Sequence, residues 1–193
     1  MGLDMYLSRI EREAVPFIEH DPDDIKTSDP ALYAEMKPYL NKCGDPQFFQ
    51  WESLFEEVGY WRKANQIHKW FVENVQEGED DCGQYEVSFD QLRELRELCI
   101  KVATESVMTY GKINNGYTFD GTGAMKPIIR PGMTIINPEI AEELLPSQGG
   151  FFFGSTDYDE YYLDEVKNTI EIVNRVLKNT DPSEHAIYYS SSW

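Results

Sequence analysis

The longest regular feature of this chain is an apolar stripe near its carboxyl end. Within the segment STDYDEYYLDEVKNTIEIVNRVLKN, apolar side chains recur every three or four positions, at Leu163, Val166, Ile170, Val173 and Leu177. That spacing puts all five on one face of an α-helix, and such a face must be buried against other elements. The sequence therefore predicts a helix over residues 159–178 and a core for it to cover.

Two earlier segments have the same periodicity. The first has the stripe Tyr60, Ala64, Ile67, Phe71 and Val75, which predicts a helix over residues 60–75. The second has the stripe Leu92, Leu95, Cys99 and Val102, which predicts a helix over residues 89–108. Ser88 and Gln91 have the spacing of a capping box, so the start of this second helix is well defined.

The remaining segments predict short strands and turns. Residues 3–10 alternate between apolar and polar side chains, as in a half-buried strand. The aromatic run FFFG, residues 151–154, indicates a buried strand. Residues 110–137 are rich in glycine and proline, which predicts a long loop or an irregular hairpin, with strands near residues 128–129 and 133–136.

These elements place the chain in the α+β class. A length of 193 residues favours one domain over two. We expect a single domain of residues 1–182, a small mixed sheet covered by about three main helices, and a partly mobile carboxy-terminal tail of residues 183–193. Asp29 and Asn137 each precede a proline, so they are expected to cap two further short helices, the first of which ends near Pro38.

The charge of the chain limits its partners. With 17 basic and 35 acidic residues, the formal net charge is -18. Such a charge keeps a protein soluble and monomeric, disfavours nucleic acid and anionic membranes, and favours basic partners. The chain lacks the roughly 18 to 20 consecutive apolar residues of a membrane-spanning helix, and its amino terminus does not resemble a secretory signal. We therefore expect a cytoplasmic protein.

Familiar catalytic and cofactor motifs are missing from the sequence. It contains no phosphate-binding loop, no dinucleotide-binding glycine pattern, no H-E-x-x-H and no G-x-S-x-G. The three histidines are too few for a multi-histidine metal site, and the three cysteines have no C-x-x-C spacing. The sequence therefore assigns no cofactor and leaves open whether the protein is an enzyme.

The segment YWRKANQIHKW contains the first group of candidate site residues. On the predicted helix, Trp61, Asn65 and His68 lie at the border between the apolar stripe and the solvent-exposed face. A histidine there suits acid-base chemistry or anion contact, although a backbone carbonyl that satisfies its ring explains the same position. Arg62 and Lys63 suit an anionic ligand, or else a solvated helix face paired with nearby glutamates.

The segment FFFGSTDYDEYY contains the second group. It combines a predicted strand, a glycine turn and a helix start, where backbone N–H groups near Ser155 can face an anion. Asp157 and Asp159 bring negative charge to the same place, so they can cap the helix themselves or hold a cation. A separate basic island of Lys112, Lys126 and Arg130 lies in the glycine-rich segment.

Four blocks of the chain, MGLDMYL, YWRKANQIHKWFV, EDDCG and GFFFGSTDYDEYY, resemble a widespread family of small uncharacterised proteins of bacteriophages, prophages and bacteria. The resemblance covers about half of the chain. It implies signature positions at Tyr60, Trp61, Arg62, Lys63, Asn65, His68, Trp70, Asp81, Cys82, Gly83, Phe152, Gly154, Ser155, Tyr158 and Asp159. It implies no reaction, but such a polar signature favours a shared site over a packing requirement.

Three functional hypotheses follow from these residues. The first is a phage-related accessory protein that binds a small polar or anionic, nucleotide-like ligand. Its expected ligand-binding residues are Trp61, Arg62, Lys63, Asn65, His68, Ser155, Tyr158 and Asp159, with Asn65 and His68 facing a shared hollow. The second is an acidic interaction protein that binds a basic host protein by imitating nucleic acid. The third is a hydrolase that pairs His68 with Asp81 or Asp159.

Overall fold

The fold centres on a four-stranded antiparallel sheet in the computed structural model, which describes residues 2–42, 51–150 and 153–193. The strands of the described residues are β1 (Asp4–Glu11), β2 (Glu56–Arg62), β3 (Tyr85–Val87), β4 (Met108–Phe119), β5 (Met125–Ile135) and β6 (His185–Ser192). The main sheet has the order β2-β1-β6-β3, and β4 and β5 form a separate antiparallel hairpin.

Helices cover one face of the main sheet. The α-helices of the described residues are α1 (Pro22–Ser28), α2 (Pro30–Lys42), α3 (Asn65–Asn74), α4 (Phe89–Glu105), α5 (Glu139–Leu144) and α6 (Glu160–Asn179). Short 3-10 helices span Arg12–Phe17 and Trp51–Leu54. The α+β class is confirmed. Within the described ranges, no helix is both long enough and apolar enough to cross a membrane.

The main core lies between that face of the sheet and helices α3, α4 and α6. Leu3, Met5 and Leu7, predicted to share the buried face of the first strand, are all fully buried. A smaller cluster on the opposite face contains Ile10 and Tyr188. Both faces of the inner strands are therefore covered, which explains why β6 is buried along most of its length.

The two helices with the clearest local signals form as predicted. Ser88 Oγ accepts a hydrogen bond from the Gln91 N–H at 3.1 Å, and Gln91 Oε1 accepts one from the Ser88 N–H at 2.9 Å, which completes the capping box of α4. Asp159 Oδ1 caps α6 in a similar way. Helix α4 ends at Glu105, three residues earlier than predicted, because the chain turns into β4.

The helix predicted over residues 60–75 begins too early, and this prediction is wrong in its first turn. Trp61 and Arg62 belong to β2, where they pair with Met5 and Asp4 of β1. Their backbone hydrogen bonds therefore run across the sheet. Lys63 follows with a φ of 61°, a left-handed conformation that turns the chain out of the strand. Helix α3 begins only at Asn65.

The predicted mobile tail is instead an inner strand of the sheet. Strand β6 pairs with β1 on one side and with β3 on the other, and Ala186, Ile187 and Tyr189 are fully buried. Residues 183–193 therefore belong to the folded domain. The pairings are also all antiparallel, so the expectation of a mixed sheet is corrected.

The two short helices differ from their predictions. Asp29 Oδ1 accepts hydrogen bonds from Ala31 and Leu32 at the start of α2, as predicted, but the helix runs through Pro38 to Lys42. Asn137 does not cap α5. Its side chain instead bridges the Glu105 carbonyl and the Val107 N–H, because the chain between α4 and β4 passes beside it.

The glycine-rich segment was predicted to be either a long loop or an irregular hairpin, and the structure contains the hairpin. A bulge interrupts the pairing of β4 with β5 between Asn114 and Tyr117, and Asp120 stabilises the turn by accepting from Thr122 and Ala124. The basic island is largely paired. Lys126 lies 3.0 Å from Asp120, and Arg130 lies 2.8 Å from Glu160 on α6.

The strand predicted over residues 151–154 is not found in the part that the structure describes. Residues 151 and 152 lie outside the described residues, whereas Phe153 and Gly154 form a loop.

Candidate functional site

Asn65 lies in the interior at the start of α3, with only 1% of its surface exposed. Its Nδ2 donates to the carbonyl oxygens of Phe153 at 3.1 Å and Ser155 at 2.8 Å. Its Oδ1 accepts from the Gln148 N–H at 2.9 Å. Asn65 therefore links Gln148, Phe153 and Ser155 to α3, and each of its polar side-chain atoms has a partner.

His68 is fully buried one turn further along α3. Its Nδ1 lies 2.7 Å from Tyr189 Oη on β6, and its Nε2 lies 3.0 Å from Asp80 Oδ2. The other carboxylate oxygen of Asp80 accepts from the indole N–H of Trp193 at 3.1 Å. These bonds join α3, the turn before β3 and the end of β6 into what we call the closed network, together with Asn65 and its partners.

The closed network corrects the prediction that Asn65 and His68 face a shared hollow. Both side chains are buried, and both have all their polar atoms matched by the protein. The blocks YWRKANQIHKWFV, EDDCG and GFFFGSTDYDEYY meet here, since Asp80 and the Phe153 and Ser155 carbonyls are partners of α3. A set of polar residues that looked like a ligand site thus serves to hold three segments together.

Trp61, Arg62 and Tyr158 do not face a ligand either. Trp61 is buried in the main core, where its Nε1–H donates to Thr169 Oγ1 at 2.9 Å. Tyr158 Oη accepts from the Ser147 N–H, and its ring packs on Tyr162. Arg62 is exposed, 3.8 Å from Asp4. Trp61 and Tyr158, two of the expected ligand-binding residues, therefore make their ring and polar contacts within the protein.

His68 also lacks the geometry of the hydrolase hypothesis. Tyr189 and Asp80 engage both of its ring nitrogens, so neither Asp81 nor Asp159 is its partner. Asp81 instead accepts from the Gly83 N–H at 2.7 Å and from Tyr85 Oη at 3.0 Å. Among the residues that the structure describes, no group of three or more His, Cys, Asp or Glu side chains could hold a metal ion.

The remaining predicted residues, Lys63, Ser155 and Asp159, line one open cleft of about 750 Å³. The cleft lies between the outer half of the β4–β5 hairpin, the residues 154–159 before α6 and the first turns of α6. Asp157, considered in the sequence analysis as a cap or a cation ligand, lines it as well, and residues that the sequence analysis missed complete its walls: Gln66, Asn114, Asn115, Gly116, Tyr117, Met125, Gly150, Tyr161, Tyr162 and Glu165. We call it the hairpin cleft.

Two local conformations shape the floor of the hairpin cleft. Lys63 adopts its left-handed conformation directly against Gly154, whose φ is 92°. A Cβ atom at Gly154 would lie 3.2 Å from the Cβ of Lys63, so the close approach of the two turns favours glycine there. The turn after β2 and the loop before α6 therefore meet at one edge of the cleft.

Arg130 fixes the hairpin over the cleft. Its Nη2 donates to Glu160 Oε1 at 2.8 Å and to Tyr161 Oη at 2.6 Å, and its Nε donates to Asn115 Oδ1 at 3.2 Å. Tyr161 Oη also donates to Asn115 at 2.7 Å. Hydrogen bonds from the Met133 N–H and from Arg130 lower the pKa of Glu160, which stays ionised as the anchor of this clasp.

Asp159 differs from the other acidic residues of the hairpin cleft because it is buried and one of its carboxylate oxygens has no partner among the described residues. Only 2% of its surface is exposed, and its Oδ1 caps α6 by accepting from the N–H groups of Tyr161 at 2.9 Å and Tyr162 at 3.2 Å. Its Oδ2 is buried and has no hydrogen-bond partner among the described residues. Burial raises the pKa of Asp159, and burial also raises that of Glu165 further along the same wall.

An unmatched carboxylate oxygen in the interior is costly unless it binds a proton or meets a donor. A second cavity of about 470 Å³ beside β2 and the end of α6 also has a lining residue, Thr180, whose hydroxyl oxygen is buried without a hydrogen-bond partner among the described residues, so the two cavities differ in their charges. There the opposite charges Arg9 and Glu56 lie 2.8 Å apart and neutralise each other. Neither cavity was visible in the sequence, since Tyr117, Tyr161 and Glu165 meet only through the tertiary fold.

Comparison with known proteins gives this site no precedent. No family model, no curated protein and no solved structure matches the chain. The resemblance to phage and prophage proteins therefore stays a prediction, and its position Phe152 lies outside the described residues. The geometry of the hairpin cleft is the basis on which a function can be argued.

Proposed function

We propose that this protein binds a small polar ligand in the hairpin cleft, and that the ligand presents N–H donors or a positive charge to Asp159. The observation that carries the proposal is that Asp159, which lines the cleft, has a buried Oδ2 without a hydrogen-bond partner among the described residues. An ammonium, a guanidinium or an amino-bearing base would supply the missing donor. The proposal keeps the expected binding function and the residues Lys63, Ser155 and Asp159.

The charges of the cleft favour a cation over the anion expected from the sequence. Three acidic side chains, Asp157, Asp159 and Glu165, line it, against the single basic side chain of Lys63. A phosphate group would meet like charge from three sides, whereas a cation would meet opposite charge. The ring of Tyr117 adds a face that attracts cations, whereas the ring of Tyr161 already has the guanidinium of Arg130 over it, 5.3 Å from the ring centroid.

A phage-related accessory role in the cytoplasm is the setting that we propose for this activity, and it rests on the resemblance alone. Docking onto a basic host protein remains the alternative, and it rests on the formal charge of -18. The two proposals differ in what they require. The ligand proposal needs the hairpin cleft, whereas the docking proposal needs only the acidic surface and predicts binding that weakens steeply with salt.

NMR titration of the ¹⁵N-labelled chain with simple probes tests the ligand proposal. We expect acetamidinium and spermidine to shift amide signals around the cleft, and inorganic phosphate and ATP to leave them unchanged. Asp159→Asn should raise the Kd for acetamidinium about tenfold, because a hydrogen bond to a charged group is worth about 1.5 kcal/mol or more. Asparagine still accepts from the first turn, so the helix cap survives the change.

Asp21→Asn is the matched control, since Asp21 caps α1 through the same kind of hydrogen bonds, to Asp23 and Asp24, without lining the hairpin cleft. It should leave the Kd unchanged. Binding should also weaken in acid, because protonation of Asp159, whose pKa is raised by burial, removes the charge that a cation needs. Equal binding by the Asp159→Asn variant, or no response to either cation, would reject the proposal.

A further inference from the structure

The outer end of the hairpin has an exposed apolar face. Beyond the bulge of β4, Phe119 lies opposite Met125, and Tyr117 lies opposite Pro127. Directly paired residues in antiparallel strands share a face, as do residues two apart, so these four side chains are on one side of the hairpin. We call them the apolar tip.

Three of the four side chains of the apolar tip are more than half exposed. Tyr117 is 57% exposed, Phe119 is 74% exposed and Met125 is 59% exposed. Large adjacent apolar side chains of this kind mark interaction sites more often than ordinary surface. A two-stranded hairpin is also only marginally stable by itself, so it gains little from presenting these side chains to water.

The position of the apolar tip relative to the hairpin cleft indicates what covers it. Tyr117 and Met125 both line the cleft, opposite the wall formed by the first turns of α6. The inner part of the hairpin is held in place, because Ile113 is buried and Arg130 clasps Glu160 and Tyr161. Two of the four side chains of the tip, Tyr117 and Met125, therefore form an apolar wall of the cleft, in which Asp157, Asp159 and Glu165 are acidic.

We propose that the ligand of the hairpin cleft is an amphipathic cation, with a flat aromatic or apolar body against Tyr117 and Met125 and a cationic group at Asp159. This inference rests on the proposed function and narrows it to a class of ligand. Charge complementarity selects the cationic end. The aromatic and thioether side chains of the tip select a flat apolar body, for which they offer stacking and polarizable contacts.

A matched pair of probes tests this class. Acetamidinium and benzamidinium carry the same cationic group, and only benzamidinium has an aromatic ring. We expect benzamidinium to bind at least tenfold more tightly in the NMR titration, because its ring would leave water for the apolar tip. Tyr117→Ser and Met125→Ser should each reduce that advantage to threefold or less, because they weaken the binding of benzamidinium more than that of acetamidinium.

Thr118→Ser provides the control on the same hairpin. Thr118 pairs with Lys126 on the opposite face, one residue from both Tyr117 and Phe119, and it does not line the hairpin cleft. This variant should keep the full tenfold advantage of benzamidinium. Circular dichroism of each variant checks that the hairpin variants retain the fold, and an unchanged Kd for acetamidinium in Thr118→Ser checks that a change on this hairpin leaves the acidic wall intact.

The outcomes separate this inference from the function on which it rests. Equal affinities for the two probes, with both lost in Asp159→Asn, would overturn the amphipathic class and leave the cation site standing. No binding of either probe would overturn both proposals. A tip buried by a second copy of the chain would also overturn the inference, and it would appear in sedimentation velocity as a dimer that Phe119→Ser dissociates and Thr118→Ser does not.

Discussion

The closed network and the hairpin cleft lie at opposite edges of the same loop and use similar residues in opposite ways. In the network, Asn65 and His68 have every polar atom matched by the protein. In the cleft, Asp159 keeps one buried oxygen without a partner among the described residues. The difference teaches that a concentration of polar residues does not define a binding site. An unmatched polar atom beside open space is the more informative sign.

His68→Ala should have the largest effect on stability and would test the network most directly. The change leaves Tyr189 Oη and Asp80 without their partner and opens a cavity in the interior, so we expect a loss of about 3 to 4 kcal/mol in the free energy of unfolding. Urea denaturation measures it. His185→Ala is the control, because His185 is only half-buried and its Nδ1 has no partner among the described residues, and we expect a loss under about 1 kcal/mol.

Asn65→Asp should come next, with a loss of about 2 to 3 kcal/mol at pH 7. The new carboxylate has the same shape as the amide but points an acceptor at the carbonyl oxygens of Phe153 and Ser155. Urea denaturation again gives the value. A loss below about 0.5 kcal/mol would show that the loop can move away from α3, and the description of the network as closed would then fail.

Asp159→Asn is the reverse of Asn65→Asp, since it replaces a carboxylate by an amide. It should have the smallest effect on the free energy of unfolding, and that effect should be a gain. Burial raises the pKa of Asp159 above its unfolded value, so the wild-type protein loses stability as the pH rises through that raised pKa. Asparagine carries no charge and avoids this loss. We therefore expect the variant to be more stable at pH 8, by less than about 1 kcal/mol, and no more stable in acid, where the carboxyl is protonated in both states.

Thermal unfolding at several pH values measures this small difference, and Asp21→Asn should show no such gain because Asp21 caps its helix at an exposed position. A stability loss at pH 8 for Asp159→Asn would mean that the carboxylate is already matched in the free protein. The contrast between the network and the cleft would then disappear, and with it the main argument for a cationic ligand.

The parts of the fold that the sequence predicted well are those fixed by local interactions. The cap of α4 depends on Ser88 and Gln91, three residues apart, and the stripe of α6 depends on its own spacing. Strand β6 depends on pairing with two strands that are distant along the chain, so its short sequence gave no comparable signal. The first turn predicted for α3 failed for the same reason, since β1 recruits Trp61 into the sheet.

The residues of the candidate site divide in the same way, into those that could be selected from the sequence and those that only the tertiary fold brings together. Ser155 and Asp159 could be selected because a helix start has a local signature, and Lys63 because of its charge, and all three line the hairpin cleft. Tyr117 and Glu165 carry no such signature, because only the folded hairpin brings β4 over α6. The sequence also could not separate a matched histidine from a reactive one, since the partners of His68 are 12 and 121 positions away.

The position of β6 has a consequence for synthesis on the ribosome. Strands β1 and β3 have no direct pairing with each other in the main sheet and become connected only when residues 185–192 insert between them. The edge of β1 that pairs with β6 therefore stays unpaired until almost all of the described chain has been translated. Nascent chains that stall before that point would expose this edge to neighbouring polypeptides, so chaperone dependence and aggregation should be greatest during elongation.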